Sequence, residues 1–280
     1  SLRNSKVSKA QIIDEAVPFL VASLWKNLDI PILLICSNGQ NASKLSEKIT
    51  AWGNNAQSPL RFSESESLPF ERLITDPSIT QQRISTLAAL SINPSPAPLV
   101  ITSVSAICQK TLSKQILKET HQILSTGDEI SLDEILALWQ KMGYSLETNV
   151  QDAGTSSRRG GILDIYPIGS ECPFRIELWG DTIDSIRSFD PITQRSTKIV
   201  NSIQILPAKE SLPSISESEM LDRALGQIDM ANCSPENVSR INDEIDLILN
   251  GYKIEDLDFY SGLFNHGNLM DYLPKNCMVI

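Results

Sequence analysis

The sequence is poor in the residues that catalysis and metal binding most often use. It has two histidines, His121 and His266, and five scattered cysteines that form no CxxC pair. An odd cysteine count without ligand spacing argues against both a disulfide framework and a zinc site. No apolar run approaches the roughly 20 residues that a membrane helix needs, and the first residues lack the pattern of a secretory signal. We therefore expect a cytoplasmic protein with no membrane partner.

Basic residues are also scarce. The 24 lysines and arginines are outnumbered by 34 acidic residues, which gives a net charge of −10. Because such a charge repels the phosphate backbone, we expect the chain to bind DNA only weakly by itself. The hydrophobic content of 41% is that of an ordinary globular protein, and 280 residues can hold two or three packed units.

The first third of the chain alternates helical and strand patterns. An apolar helical pattern from Phe19 to Leu28 precedes the apolar strand 32–36, and the next helix carries Ile49 and Trp52. Asp76-Pro77 forms an N-cap and first-position proline, which opens a helix with Ile84, Leu87, Ala88 and Leu90 on its inner side. Together with the apolar strand 99–101, this order predicts a parallel sheet that is covered on both faces.

The middle and last thirds show different patterns. Ser131 to Glu134 reads as a capping box before one helix, and alternating strands with glycine turns follow it, which predicts an antiparallel sheet with one helix. Residues 217–230 and 235–250 are predicted to be helical. Cys277 to Ile280 reads as a buried strand that returns to the first sheet.

One strand of the middle region carries the strongest binding signal. Phe174, Ile176 and Leu178 alternate with Arg175, Glu177 and Trp179, so the second set is predicted to lie on an outward face. Arginine and tryptophan are frequent anchors of protein interfaces. The alternative interpretation is an ordinary cross-strand surface pair of little energetic value.

The same strand belongs to a longer run, RRGGILDIYP followed by FRIELWGDTIDSIRSFDPITQRS, which closely resembles the domain shared by UvrB and the N-terminal part of the transcription-repair coupling factors (Mfd). The segments SLPFERLITDPSITQQRISTLAAL, LVITSVSAI and DYLPKNCMVI extend this resemblance over nearly the whole chain. UvrB has a long aromatic hairpin between the segments equivalent to Leu68–Glu71 and Asp76-Pro77. This chain has no room for one, so the coupling factors are the closer likeness.

The resemblance implies an α/β fold with three parts. The first is a degenerate helicase-like (RecA-type) parallel α/β domain over residues 1–122, completed by a strand near 276–280. An antiparallel α+β domain of the UvrA-binding type is inserted over 123–207, and a mainly helical subdomain covers 208–275.

The resemblance also locates the place where a phosphate loop belongs, at Gln11–Pro18. Gln11 and Ala16 replace its two glycines, Val17 its lysine and Pro18 its hydroxyl residue. The loop needs glycine backbone to wrap the phosphates, a lysine to reach them and a hydroxyl to hold magnesium. We therefore expect neither catalysis nor a cofactor in this chain, and ATP and Mg²⁺ only in a motor that the family carries downstream.

Function is then expected to rest on the middle domain. In the family this domain recruits UvrA, and the motif match assigns the contact to Arg159, Arg175, Glu177 and Trp179. The implied function is recruitment of UvrA to stalled RNA polymerase for nucleotide excision repair. The family further implies an autoinhibitory contact with a C-terminal domain, and contacts to RNA polymerase and DNA through other domains. The alternative is a fragment of a UvrB-type damage-verifying ATPase.

Overall fold

The computed structural model describes residues 9–52, 58–65, 76–92, 97–215, 218–252, 254 and 256–280. The α-helices within these ranges are α1 (Val17–Leu28), α2 (Gly39–Trp52), α3 (Pro77–Ile92), α4 (Val104–Cys108), α5 (Lys114–Thr120), α6 (Leu132–Lys141), α7 (Ser218–Leu225), α8 (Pro235–Leu249) and α9 (Ser261–Phe264). The strands are β1 (Ile32–Cys36), β2 (Leu60–Phe62), β3 (Leu99–Ser103), β4 (Gln122–Ser125), β5 (Ser145–Leu146), β6 (Thr155–Arg159), β7 (Ile162–Ile165), β8 (Phe174–Trp179), β9 (Thr182–Phe189), β10 (Ser196–Val200), β11 (Ser202–Ile205) and β12 (Met278–Val279). The link Leu68–Glu71, which the sequence predicts to be too short for a hairpin, lies outside the described residues.

The first sheet is parallel, as the sequence predicts, with the strand order β12-β1-β3-β2. Strands β1 and β3 are almost entirely buried because both faces of the sheet are covered. One face packs against Val21 of α1 and Ile49 of α2. The other face packs against Ile84 and Leu87 of α3, which confirms the predicted inner side of that helix.

Strand β12 comes from the far end of the chain and joins the edge of this sheet. Met278 lies opposite Ile32 and Val279 opposite Leu33, both in parallel register. The next residue continues the pairing, since the Ile280 amide donates to the Leu33 carbonyl at 2.9 Å and its carbonyl accepts from the Ile35 amide at 2.8 Å. Two distant parts of the sequence therefore build one sheet.

The second sheet has six strands in the order β10-β9-β8-β7-β6-β5. Its pairs are antiparallel except for β5 and β6, which run parallel, so the prediction of a purely antiparallel sheet was wrong at this edge. Helix α6 and the separate β4–β11 ribbon pack on one face, where Trp139 and Ile176 are fully buried. This face forms the core of the middle region.

Two sequence predictions about helices need correction. The helix predicted over 217–230 ends at Leu225, and the following residues form turns and irregular structure. Phe19 and Trp52, predicted on apolar helix faces, are 55% and 59% exposed and stack edge-on with their ring centres 5.3 Å apart. Sequence pattern alone does not show that the described residues leave this part of the surface of α1 and α2 uncovered.

A buried arginine connects the first sheet unit to the segment that follows β11. Arg83 of α3 is only 2% exposed, and it donates from Nε and Nη2 to both carboxylate oxygens of Glu210, just beyond β11. Its guanidinium also lies over the Phe62 ring at 4.0 Å and donates to the Ser63 carbonyl at 2.7 Å. This network ties the segment after β11 to the first sheet unit, because a buried guanidinium needs its carboxylate and carbonyl partners in place.

Candidate partner-binding surface

The face of the six-stranded sheet opposite α6, here called the outer face, carries all four residues that the family resemblance assigns to partner binding. Because directly paired residues of neighbouring strands point to the same side, the strand register defines this face. Its members are Arg159, Ile162, Asp164, Arg175, Glu177, Trp179, Arg187 and Ile199. Arginine, carboxylate and apolar side chains are therefore interleaved across five strands.

Two tight hairpins position the residues at one end of the outer face. Gly160-Gly161 joins β6 to β7, and Gly180-Asp181 joins β8 to β9. Gly160 and Gly180 have φ values of 61° and 62°, which two-residue hairpin loops require at their first central position and which glycine adopts without steric cost. Both turns lie at the same end of the sheet, so Arg159 and Trp179 come together there.

Trp179 is the most exposed large hydrophobic residue of the outer face. Its side chain is 84% exposed at the end of β8, although tryptophan is one of the largest apolar side chains. Glu177, two residues earlier on the same face, accepts a hydrogen bond from Ser185 at 2.9 Å and lies 3.5 Å from Nη2 of Arg187. The predicted outward placement of Trp179 and Glu177 agrees with this geometry.

Arg175 differs from the expectation of a freely exposed cation. Its side chain is 18% exposed and forms two bonds of 2.8 Å with the carboxylate of Asp164, which is 1% exposed. The guanidinium also lies 5.0 Å from the centre of the Phe189 ring. The hydrogen bonds to Asp164 raise the pKa of Arg175 above its usual value. Arg175 therefore has a structural partner within its own sheet.

The two arginines before the glycine turn lie on opposite sides of the sheet. Arg159 is on the outer face and exposed, and Nη2 donates to the Thr148 carbonyl at 3.0 Å and to Oδ1 of Asn149 at 2.7 Å. Arg158 pairs with Leu163 on the side of α6, and its Nη1 lies 2.5 Å from Oδ1 of Asp133 in the first turn of that helix. Arg158 is a local ion-pair partner, not part of the outer face.

Three polar residues on or beside β5 and β6, Glu147, Ser156 and Ser157, contribute little to this surface. Ser156 and Ser157 are each 1% exposed. Glu147 is exposed but lies beyond β5 at the sheet edge. The accessible part of the outer face is therefore limited to the hairpin end and to the strands on the β10 side.

Sequence reasoning missed four of these members of the outer face, namely Ile162, Asp164, Arg187 and Ile199. Asp164 stands between Leu163 and Ile165 in an apolar strand, and a carboxylate in such a run is itself a sign of a buried partner. Arg187 and Ile199 are directly opposite each other on β9 and β10. A bulge in β9 between the positions paired with Glu177 and Leu178 shifts the alternation, so simple period-two counting does not place Arg187.

The segment Gln11–Pro18 leads into α1, and its last two residues are the first two of that helix. A single 3₁₀ turn covers Asp14–Ala16, and α1 starts at Val17 with Pro18 buried in its first turn. The proline is favourable there because the first-turn amides have no helical partner. Asp14 and Glu15 are exposed in the turn before the helix.

Two searches of the described residues found no candidates. No group of three or more histidine, cysteine, aspartate or glutamate side chains there is arranged to hold a metal ion. Within the same part of the chain, no helix has the length and apolar character needed to cross a membrane.

Residues 123–210 match the family described as the UvrB interaction domain. This match covers the six-stranded sheet, α6 and the β4–β11 ribbon, and so contains the whole outer face. The middle of the chain is therefore similar to the UvrB interaction domain.

Comparison with curated proteins extends the similarity to most of the chain. The chain is 31% identical over 272 residues to the transcription-repair-coupling factor of Bacillus subtilis, covering 92% of this chain and 23% of that protein. It is 29% identical over 200 residues to the factor of Escherichia coli, covering 71% and 17% respectively. The factor of Staphylococcus haemolyticus is 35% identical over 186 residues, covering 64% and 15%.

These matches confirm the predicted resemblance to the N-terminal module of the transcription-repair coupling factors. The chain spans less than a quarter of the length of these relatives.

Proposed function

We propose that this chain is the part of a transcription-repair coupling factor that recruits UvrA to sites of stalled RNA polymerase during nucleotide excision repair. The similarity to coupling factors and the UvrB interaction domain over 123–210 support this proposal. Recruitment needs a surface that other parts of the same unit do not cover. The outer face has that property at its hairpin end.

The observation that carries the proposal is the exposure of Trp179. The indole is 84% exposed, so a partner that covers it gains the free energy of burying its apolar surface. Tryptophan is also among the side chains most enriched at the energetic centres of interfaces. Arg159 and Glu177 lie beside it and offer charged groups of both signs. In this proposal Trp179 is the apolar anchor for UvrA, with Arg159 and Glu177 as orienting polar contacts.

The role of Arg175 in this proposal is partly indirect. Its two bonds to Asp164 hold the guanidinium flat against the outer face, and 18% of the side chain remains accessible. A planar, pre-oriented guanidinium loses less conformational entropy when it binds than a freely rotating one. We propose that Arg175 contacts UvrA through this accessible edge while it stabilises the sheet.

We further propose that the first α/β unit is a degenerate helicase-like domain without nucleotide or cofactor. The parallel sheet with β12 at its edge is compatible with that fold. At the site expected for the phosphate loop, Val17 and Pro18 begin a helix and two carboxylates precede them. Negative charge at this position disfavours a polyphosphate.

In the full-length coupling factor, we propose that a motor outside this chain engages DNA and RNA polymerase in the cytoplasm. A C-terminal domain of the same protein covers the outer face until the motor is engaged. An uncovered indole beside arginines favours such an intramolecular contact for the same reason that it favours UvrA.

The proposal is tested by titrating purified UvrA from the same organism into this chain and into Trp179→Ala. We expect the substitution to weaken binding by about 1 to 3 kcal/mol, which is typical of interface anchors, and to leave the melting temperature nearly unchanged because the indole makes little contact within the chain. Trp52→Ala is the matched control, since Trp52 is 59% exposed on α2 in the other sheet unit. Equal UvrA affinity for wild type and Trp179→Ala contradicts the proposed dock.

A further inference from the structure

Arg187 and Ile199 extend the outer face beyond the residues that the family motif assigns. They are directly opposite each other on β9 and β10. Strand β10 is the edge of the sheet, and β9 lies between β10 and β8. Arg187 is also directly opposite Arg175 on the other side. The four consecutive strands β7 to β10 thus carry Asp164, Arg175, Arg187 and Ile199 in one row across the sheet.

The bonding of the three arginines on this face is unequal. Arg175 donates two bonds of 2.8 Å to Asp164, and Arg159 donates two bonds to neighbouring backbone and side-chain oxygens. Among the described residues, Arg187 has one ionic contact, with Glu177 at 3.5 Å, and its buried Nε has no hydrogen-bond partner. A guanidinium has five N–H donors, so Arg187 has the greatest unused bonding capacity of the three.

The unpaired Nε also means that Arg187 is held weakly in its present orientation. A buried donor without a partner costs about 1 to 3 kcal/mol, so a small rotation that satisfies it is favourable. The side chain is 39% exposed and can be reached from outside the sheet. An incoming carboxylate can therefore form the paired, bidentate contact that Glu177 does not provide.

The outer face is less acidic than the chain as a whole. Three arginines lie there with three carboxylates, Asp164, Glu177 and Glu129, the last of which pairs with Thr182 next to Trp179, whereas the whole chain carries −10. Near these charges, Ile199 is 74% exposed and Trp179 is 84% exposed. The face thus fits a surface that presents a carboxylate between two apolar contacts.

We propose that Arg187 and Ile199 form a second contact region of the UvrA dock, in which Arg187 binds a carboxylate of UvrA and Ile199 packs beside it. This inference rests on the proposed function, because it takes UvrA as the partner of the outer face. It assigns the main ionic contact to Arg187, and not to Arg175, whose charge is already neutralised within the sheet.

The test measures UvrA affinity by calorimetry for this chain and for Arg187→Ala, Arg187→Lys and Ile199→Ser, with a melting curve for each variant. We expect Arg187→Ala to raise Kd about tenfold or more, as for loss of a charge-assisted pair. Arg187→Lys keeps part of the affinity because a lysine supplies the charge without the fork geometry. Ile199→Ser weakens binding about fivefold, the value of a partly buried apolar contact.

Two control variants lie away from the outer face. Lys141→Ala removes an exposed cation from the last turn of α6 on the opposite side of the sheet, and Ile123→Ser removes a 61% exposed isoleucine from β4. Both are expected to bind UvrA within about twofold of wild type, the scale of surface changes outside an interface. Raising the salt concentration should weaken wild-type binding more than that of Arg187→Ala.

The outcomes separate this inference from the proposed function. If Trp179→Ala weakens binding while Arg187→Ala and Ile199→Ser bind like wild type, the second contact region is wrong and the dock stands. If Trp179→Ala also binds like wild type, both are wrong. A loss of affinity in Arg187→Ala that follows a large drop in melting temperature, with normal binding by a folded Arg187→Lys, overturns the ionic contact in favour of a structural role.

Discussion

Replacing Arg175 by alanine is expected to destabilise the domain, because the substitution leaves a buried carboxylate without its ion-pair partner. Asp164 is 1% exposed, and both of its carboxylate oxygens accept a bond of 2.8 Å from Arg175. Burying an unpaired charge is costly, and removal of one partner from a buried pair typically costs 3–5 kcal/mol. The substitution also removes the contact of the guanidinium with the Phe189 ring at 5.0 Å.

The expected loss of stability is smaller than for a fully buried pair, because solvent reaches the pair of Arg175 and Asp164. Because the Arg175 side chain is 18% exposed, water can hydrate Asp164 once the guanidinium is gone. We therefore expect Arg175→Ala to lower the free energy of unfolding by about 2 to 4 kcal/mol, somewhat less than the loss for a fully buried pair. The double variant Asp164→Ala/Arg175→Ala should recover part of this loss, since it removes the orphaned carboxylate as well.

Urea unfolding of the wild type, both single variants and the double variant gives the coupling energy directly. Lys141→Ala, an exposed cation of α6, controls for the loss of one positive charge. A change below about 0.5 kcal/mol for Arg175→Ala, the scatter of ordinary surface substitutions, refutes the argument. This outcome also matters for binding studies, because reduced UvrA affinity of Arg175→Ala is informative only under conditions in which the variant is shown to be folded.

Two further predictions concern nucleotides and DNA. Calorimetry with Mg-ATP should show no heat of binding, because Val17 and Pro18 replace the lysine and hydroxyl residue of a phosphate loop. Asp14 and Glu15 also repel polyphosphate. Micromolar affinity for Mg-ATP that Asp14→Lys does not alter counts against the assigned site. Fluorescence anisotropy should show weak binding of duplex DNA at physiological salt, as expected from a net charge of −10. Tight binding that prefers damaged duplexes favours a UvrB-type role over that of a coupling factor.

The parts of the fold that follow from local periodicity were predictable from sequence. Buried apolar runs identified β1 and β3, and Asp76 caps α3 as expected, with its Oδ1 accepting from the Ser78 amide at 2.9 Å. The parallel pairing of β5 with β6 was not predictable because two-residue strands carry no periodic signal. The early end of α7 at Leu225 has a local signal that the prediction did not use, because Gly226 follows directly and glycine favours the position just past the end of a helix.

The candidate surface was predictable only in part. The alternation in β8 placed Glu177 and Trp179 correctly, because a strand's faces follow from counting by two. The same count cannot identify the side chain opposite, so the pairing of Arg175 with Asp164 and the position of Arg187 required the strand register. The assignment of UvrA contacts to particular residues stays a prediction that the variants above test.

The distant origin of β12 has a consequence for how the protein is made. Ile32 and its partner Met278 are separated by nearly the whole sequence. The edge of β1 that pairs with β12 therefore stays unpaired while the intervening residues are synthesised. At roughly 5 to 20 residues per second, that interval lasts on the order of 10 to 50 seconds. During this time an unpaired apolar strand can join the wrong chain, so nascent copies should be most prone to misassembly before the last strand arrives.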